Sequence, residues 1–215
     1  MPRPSEAAAR TAAGKRVLDL VVASLALVLL APLLAVLWLC VRLSSPGVAV
    51  FRQQRLGRAE RPFTIYKFRS MRVDNDDAVH REFVGRMLTH PASAPTASDG
   101  LYKLVGDPRI TPVGKWLRRT SLDELPQLVN VVRGDMSLVG PRPVLAWEAE
   151  LFPAAARVRF RVRPGLTGLW QVSGRARLTM PQALELDAEY VRRQSFRLDL
   201  TILARTVPAL RRGTA

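Results

Sequence analysis

Between Arg16 and Arg42 the chain reads VLDLVVASLALVLLAPLLAVLWLCV, 25 residues in which Asp19 is the only charge. No other stretch limits the fold so tightly. At about 1.5 Å per residue, a straight helix of this length crosses a hydrocarbon core of about 30 Å, so the run is predicted to enter a membrane. It is too long for the apolar part of a secretory signal and lacks a small-residue exit, and Trp38-Leu39 ahead of Cys40 argues against a lipoprotein cysteine. Pro32, in the middle, removes a backbone donor and presses on the carbonyl of Val28, which predicts a kink. Lys15-Arg16 precede the run and Arg42 follows it, and the positive-inside rule then asks for both ends on the cytoplasmic side. Flank charge biases topology without fixing it. On these residues a single span and a broken helix re-entering one leaflet both stand. Asp19, one turn in, reads either as an interfacial residue or as a partner for Lys15, Arg16 or another helix.

The whole chain of 215 residues carries a formal charge of +15, which fits nucleic acid, a phospholipid surface or a phosphorylated substrate equally well. The placement of that charge says more. Eight Lys/Arg lie from Arg42 to Arg72 against one acid, Glu60, directly after the apolar run, whereas Val73 to Gly100 is mildly acidic and reads as a looser segment. The single cysteine, Cys40, excludes a disulfide framework and fits a reducing compartment.

VAVFRQQRLG and FTIYKFRSM, joined by RAERP, predict a small β-hairpin. Its basic residues are either a solvated sheet edge or a ledge for phosphates and headgroups. LTHPASAPTASDG, from Leu88 to Gly100, is expected to be a loop, and His80 and His90 read as surface residues because nothing at metal-binding spacing accompanies them. In DPRITPVGKWLRRTS, Thr111 before Pro112 reads as an N-cap, followed by a short helix to about Thr120 with Val113, Trp116 and Leu117 on one face.

The next stretch, SLDELPQLVNVVRGDMSLVGPRP, places Asp123 and Glu124 between Arg118-Arg119 and Arg142. Ser121 with Glu124 matches a capping box, but Pro126 would then fall inside the helix. The favoured reading starts the helix at Pro126, faces Leu125, Leu128, Val129 and Val132 to the core and ends it at Gly134. The acid pair then sits at a helix N-terminus, which also stabilises an incoming phosphate. In phosphoryl chemistry one carboxylate can attack phosphorus, a second can help hold a divalent cation, and arginines grip the oxygens. Surface ion pairs with Arg118 and Arg119 are the plainer alternative.

GDMSLVGPRP and RPGLTGLWQVSGR hold Arg142, Arg163 and Arg175 on glycine- and proline-rich backbone, where main-chain amides can approach phosphates or a base. Gly168, Gln171, Gly174 and Arg175 are the nucleotide-binding candidates there, with ordinary turns as the alternative. Near the end, PQALELDAEYVRRQSF and LDLTILARTVPALRRG are predicted helices. Leu198, Leu200, Ile202, Leu203 and Val207 beside Arg205, Arg211 and Arg212 suit either packing on the domain or a helix lying in the membrane interface.

These residues together resemble the bacterial sugar transferases, the monotopic phosphoglycosyl transferases. The likeness runs from Lys15 to about Pro208, through KRVLDL, RQQRLGR with FTIYKFRSM, the DPRITPV to GPRP block and RPGLTGLWQVSGR. The resemblance implies an α+β, mainly helical fold: a cytosolic tail over 1–16, a membrane helix over 17–41 that re-enters at Ala31-Pro32, where the family commonly has Ser-Pro, and a catalytic domain over 42–212 with a hairpin and interfacial helices. The chain reads as a minimal form of the family. The resemblance further implies transfer of a sugar 1-phosphate from a UDP-sugar to undecaprenyl phosphate at the cytoplasmic face of the bacterial inner membrane, releasing UMP. Asp123 matches the nucleophile, Glu124 a Mg²⁺ ligand, and Arg118 and Arg142 phosphate binders. Membrane lipid is an expected partner, nucleic acid is not, and a homodimer is left open.

Overall fold

The computed structural model describes residues 6–72, 81–82, 85–87, 109–174 and 178–212. The apolar run folds as two helices, α1 (Glu6–Leu29) and α2 (Ala31–Ser44), which meet at 64°. The break lies where Pro32, in the first turn of α2, cannot donate to the carbonyl one turn back. Among the described residues no single helix is long and apolar enough to cross a membrane. Around the bend the side chains are apolar and exposed, Val28 at 72% and Leu29 at 68%, whereas Ala23 and Asp19 lower on α1 are buried.

Asp19 corrects both sequence readings. Its carboxylate accepts from the hydroxyl of Ser137 at 3.1 Å and from the backbone N–H of Leu138 at 2.9 Å, so it is a buried partner of a strand. The basic flank is equally engaged. Lys15 donates to Asp199 at 2.7 Å and to the carbonyl of Val139 at 3.0 Å, and Arg16 donates to the carbonyls of Val131 and Val132 at 2.6 and 2.8 Å.

The hairpin forms as expected. β1 (Val50–Leu56) pairs antiparallel with β2 (Pro62–Phe68), Val50 opposite Phe68 and Leu56 opposite Pro62. Buried Arg69 then donates to the carbonyls of Val41, Ser45 and Val48, closing the C-terminal end of α2. α3 (Pro112–Thr120) begins where predicted, the Thr111 hydroxyl accepting from the N–H of Gly114. Leu117 is buried, but Trp116 is half exposed, so the predicted face is rotated.

Neither predicted start of the following helix is observed. Ser121 makes no side-chain cap and takes a left-handed φ of 58°, and a 3₁₀ turn, Leu122–Gln127, tolerates Pro126 before α4 (Leu128–Arg133) begins. Leu128 and Val131 are buried and Val129 is exposed, the result of a helix that starts two residues later than predicted. Gly134, at φ 92°, ends α4 as expected, and the carbonyls it leaves are taken by Arg16 and, at 2.8 Å from the Gly134 oxygen, by Arg163.

A second sheet was not anticipated: β3 (Ser137–Val139) runs parallel to β4 (Gly165–Thr167). At its end Gly140 and Gly165 face each other so closely that a Cβ on Gly165 would lie 2.0 Å from the nitrogen of Gly140. Backbone packs directly on backbone there, and no other residue fits. Further elements are a 3₁₀ turn Arg58–Glu60, α5 (Ala146–Glu150), a 3₁₀ segment Ala154–Arg161, α6 (Leu169–Ser173), α7 (Met180–Arg193) and α8 (Phe196–Arg212). One core joins α1, β2, α4, β3 and the last two helices through Ala23, Ile65, Val131, Leu138, Tyr190 and Ile202. Ile202 is thus core, while Leu200, Val207 and Arg205 of the predicted interfacial set are exposed.

Candidate active site

β2 alternates its side chains as a strand must, so Lys67 falls on the same face as buried Ile65. A lysine on the inward face of a strand needs a carboxylate, and the 3₁₀ turn supplies one. Lys67 Nζ donates to Glu124 Oε1 at 2.9 Å, and the same oxygen accepts from Arg142 NH1 at 3.3 Å. The three side chains are 18%, 22% and 27% exposed, wet enough to meet a solute and dry enough for charge to count. Burial pushes the Lys67 ammonium below its ordinary pKa and Arg142 and Arg55 add to this, while Glu124 and Asp123 oppose it.

These groups line a small open recess together with Arg55, Ile65, Gln127, Pro143, Gly165 and Leu166. Arg55 is held from behind by Gln53 at 2.7 Å and by buried Glu148 at 3.4 Å. Lys67 and Arg142 thus share one oxygen of Glu124 while Arg55 pairs with Glu148, and the three cations together could meet an incoming anion with several oxygens.

Of the residues predicted from sequence, Glu124 and Arg142 meet directly. Asp123, half-buried on the same turn, acts on Lys67 through its charge, but neither it nor Arg118, on the last turn of α3, is part of the recess lining. Gly168 starts α6, where a Cβ would come within 2.3 Å of the Gly140 carbonyl, which makes close packing its evident structural role. Gln171 keeps a buried Oε1 that has no hydrogen-bond partner among the described residues. Gly174 ends that helix, and Arg175 lies outside the described residues, as do His80, His90 and the loop from Leu88 to Gly100.

Lys67, Arg55 and Gln127 were not singled out from sequence. The inward phase of Lys67 on a strand was the available signal. For buried Gln127, whose Nε2 has no hydrogen-bond partner among the described residues, there was none.

Known proteins share this arrangement of sequence. The model of the family described as bacterial sugar transferase matches residues 10–213. The chain belongs to that family. It is 43% identical over 196 residues to an exopolysaccharide production protein, ExoY, of Sinorhizobium fredii, covering 91% of this chain and 84% of the relative. It is 42% identical over 206 residues to a UDP-glucose:undecaprenyl-phosphate glucose-1-phosphate transferase of Caulobacter vibrioides, covering 91% and 69%. It is 41% identical over 198 residues to an undecaprenyl-phosphate galactose phosphotransferase of Salmonella typhimurium, covering 92% of this chain and 40% of that longer protein. The family makes this sugar transferase an enzyme, and the recess around Glu124 is its candidate active site.

Proposed function

We propose that this sugar transferase moves a sugar 1-phosphate from a UDP-sugar to undecaprenyl phosphate, as an early membrane step in making an exopolysaccharide. The observation that carries the reading is the recess itself: Lys67, Arg55 and Arg142 converge beside adjacent carboxylates, and relatives covering nine-tenths of this chain are named for that reaction.

In the proposed first step an Asp123 oxygen attacks the β-phosphorus of the donor. The bond from that phosphorus to the bridging oxygen breaks, UMP leaves with the bond electrons, and the phosphosugar remains on Asp123 as an acyl phosphate. In the second step an oxygen of undecaprenyl phosphate attacks the same phosphorus, the carboxylate of Asp123 leaves, and undecaprenyl diphosphate sugar is formed. Arg142 and Lys67 neutralise the phosphate oxygens, trading their bonds to Glu124 for bonds to substrate. Glu124 suits Mg²⁺ as a hard oxygen donor, and one carboxylate is enough for an ion whose shell substrate phosphates would complete. Bound there, Mg²⁺ would supply further charge neutralisation.

The α1–α2 pair is proposed to re-enter the cytoplasmic leaflet. Its bend of 64° and exposed apolar apex support this, with the catalytic domain on the cytoplasmic side. Exposed Leu200 and Val207 on α8 and Trp116 on α3 are the candidates for interfacial contact.

The test is UMP release by the protein in nanodiscs, with Mg²⁺, undecaprenyl phosphate and a panel of UDP-hexoses, beside Asp123→Asn. The expected result is lipid-dependent turnover with one donor, a single equivalent of UMP with a mass gain of one phosphosugar when acceptor is withheld, and loss of all of these in the variant. UMP release that survives Asp123→Asn would overturn the covalent step.

A further inference from the structure

Arg142 reaches Glu124 from an irregular loop, so its aim depends on what holds that loop. Three backbone oxygens of the loop are engaged: Pro141 O by the N–H of Gly165 at 2.8 Å, Val144 O by the N–H of Leu56 at 2.9 Å, and Arg142 O by the guanidinium of Arg159 at 2.6 Å. The last of these is the unusual one, because a charged side chain has been buried to make it. Arg159 is 3% exposed, at the end of the 3₁₀ segment, and its guanidinium lies 5.1 Å from the ring centre of Phe152 and 5.9 Å from that of Phe160. The same NH2 that donates to Arg142 O lies 2.8 Å from Asp187 Oδ2 on α7, and Asp187 is 2% exposed.

Stability does not account for this pair. Taking two charges out of water offsets most of their attraction, and an apolar pair of similar size usually packs as well or better. Here, moreover, Arg159 NH1 and Asp187 Oδ1 are buried with no hydrogen-bond partner among the described residues. What an apolar pair could not do is donate to the Arg142 carbonyl.

We infer that Arg159, flanked by two phenylalanines and anchored by Asp187, is a positioning residue for the transfer: it pins the backbone of Arg142 and so aims that guanidinium at the donor phosphate. This rests on the reading that Arg142 binds phosphate. The pair spans the 3₁₀ segment and α7, so the loop is referenced to the helical core and not merely to its own neighbours.

The experiment uses the full chain in nanodiscs and measures unfolding and steady-state donor kinetics for Arg159→Lys, the double variant Arg159→Met with Asp187→Leu, and Arg142→Ala. The double variant removes both buried charges and is expected to unfold within a few degrees of wild type while its kcat/KM for donor falls at least tenfold, mainly through KM. Arg159→Lys keeps the charge balance and loses the planar donor, so it covers the case in which the double variant fails to fold. Its kcat/KM is expected to fall about fivefold, with no further fall when it is added to Arg142→Ala. Arg159→Lys or the folded double variant within twofold of wild type would overturn the inference. A loss from Arg159→Lys that is undiminished in the Arg142→Ala background would overturn it too. Arg142→Ala without effect on donor kinetics would instead remove the phosphate-binding reading beneath it, which keeps the two failures distinct.

Discussion

Two ionic clusters lie on either side of Arg142, one using its side chain and the other its backbone. Around Glu124 the charges are half-open, with two cations sharing one carboxylate oxygen, so either cation could trade that bond for one to an anion. Around Asp187 the charges are sealed and matched one to one, so nothing can join it. Exposure thus separates a cluster that a solute can reach from one sealed inside the fold, although both pair basic with acidic side chains.

The comparison breaks if the open cluster is merely structural. Glu124→Gln is expected to lower kcat/KM for UMP release by about 10³-fold, roughly 4 kcal/mol of barrier, with unfolding in urea barely changed. In the sealed cluster the effects reverse in kind. Asp187→Leu leaves Arg159 buried and uncompensated and is expected to cost about 3–5 kcal/mol in urea unfolding, and a cost under 1 kcal/mol would show that water already reaches the pair.

The pH dependence sharpens the contrast. Burial pushes the Asp187 carboxyl up to about 6, with Arg159 opposing. The folded chain therefore holds that proton more tightly than the unfolded chain does. The resulting stability is fully present below the ordinary carboxylate value and is lost as pH rises to about 6. The stability difference, wild type minus Asp187→Asn, is expected to fall across that window by roughly 3 kcal/mol at most. A flat difference from pH 4 to pH 7 would contradict the burial argument. Smallest of all, Glu60→Gln breaks the exposed pair with Arg157 and is expected to change stability by less than about 1 kcal/mol.

How legible each part was in the sequence follows from the range of its contacts. The bend at Pro32, the hairpin, the Thr111 cap and the Gly134 stop are local decisions and were readable from local residues. The acid pair was readable as chemistry but not as geometry, because the partner that fixes Glu124 comes from a strand 57 positions away. Asp19 was misread for the same reason, its partners lying 118 and 119 positions on. Asn130 is another such case: from α4 it completes the free edge of β2, donating to Thr64 O at 2.7 Å and accepting from Tyr66 N–H at 3.2 Å. Asp187 carried a visible signal, since Leu184, Asp187 and Ala188 share one helical face and the other two are core residues. The β3–β4 pair, three residues per strand, is too short to leave a periodic trace.

The grip on α1 also makes that helix a ruler. Among the described residues its last polar hold on the domain is Asp19, and its bend follows Leu29, ten residues further on. At about 1.5 Å of rise each, that stretch measures about 15 Å, but much of it is still packed, since Ala23 is buried and Ala26 and Leu27 lie against the core. In the proposed re-entrant arrangement only the apex beyond Leu27 would be left to lipid, and because Asp19 fastens α1 to β3 the helix would also fix the height of the Glu124 recess above that lipid. The lipid acceptor's phosphate would then come to a site standing at a set elevation, and sliding α1 by one turn would move that site by about 5 Å without altering a single residue within it.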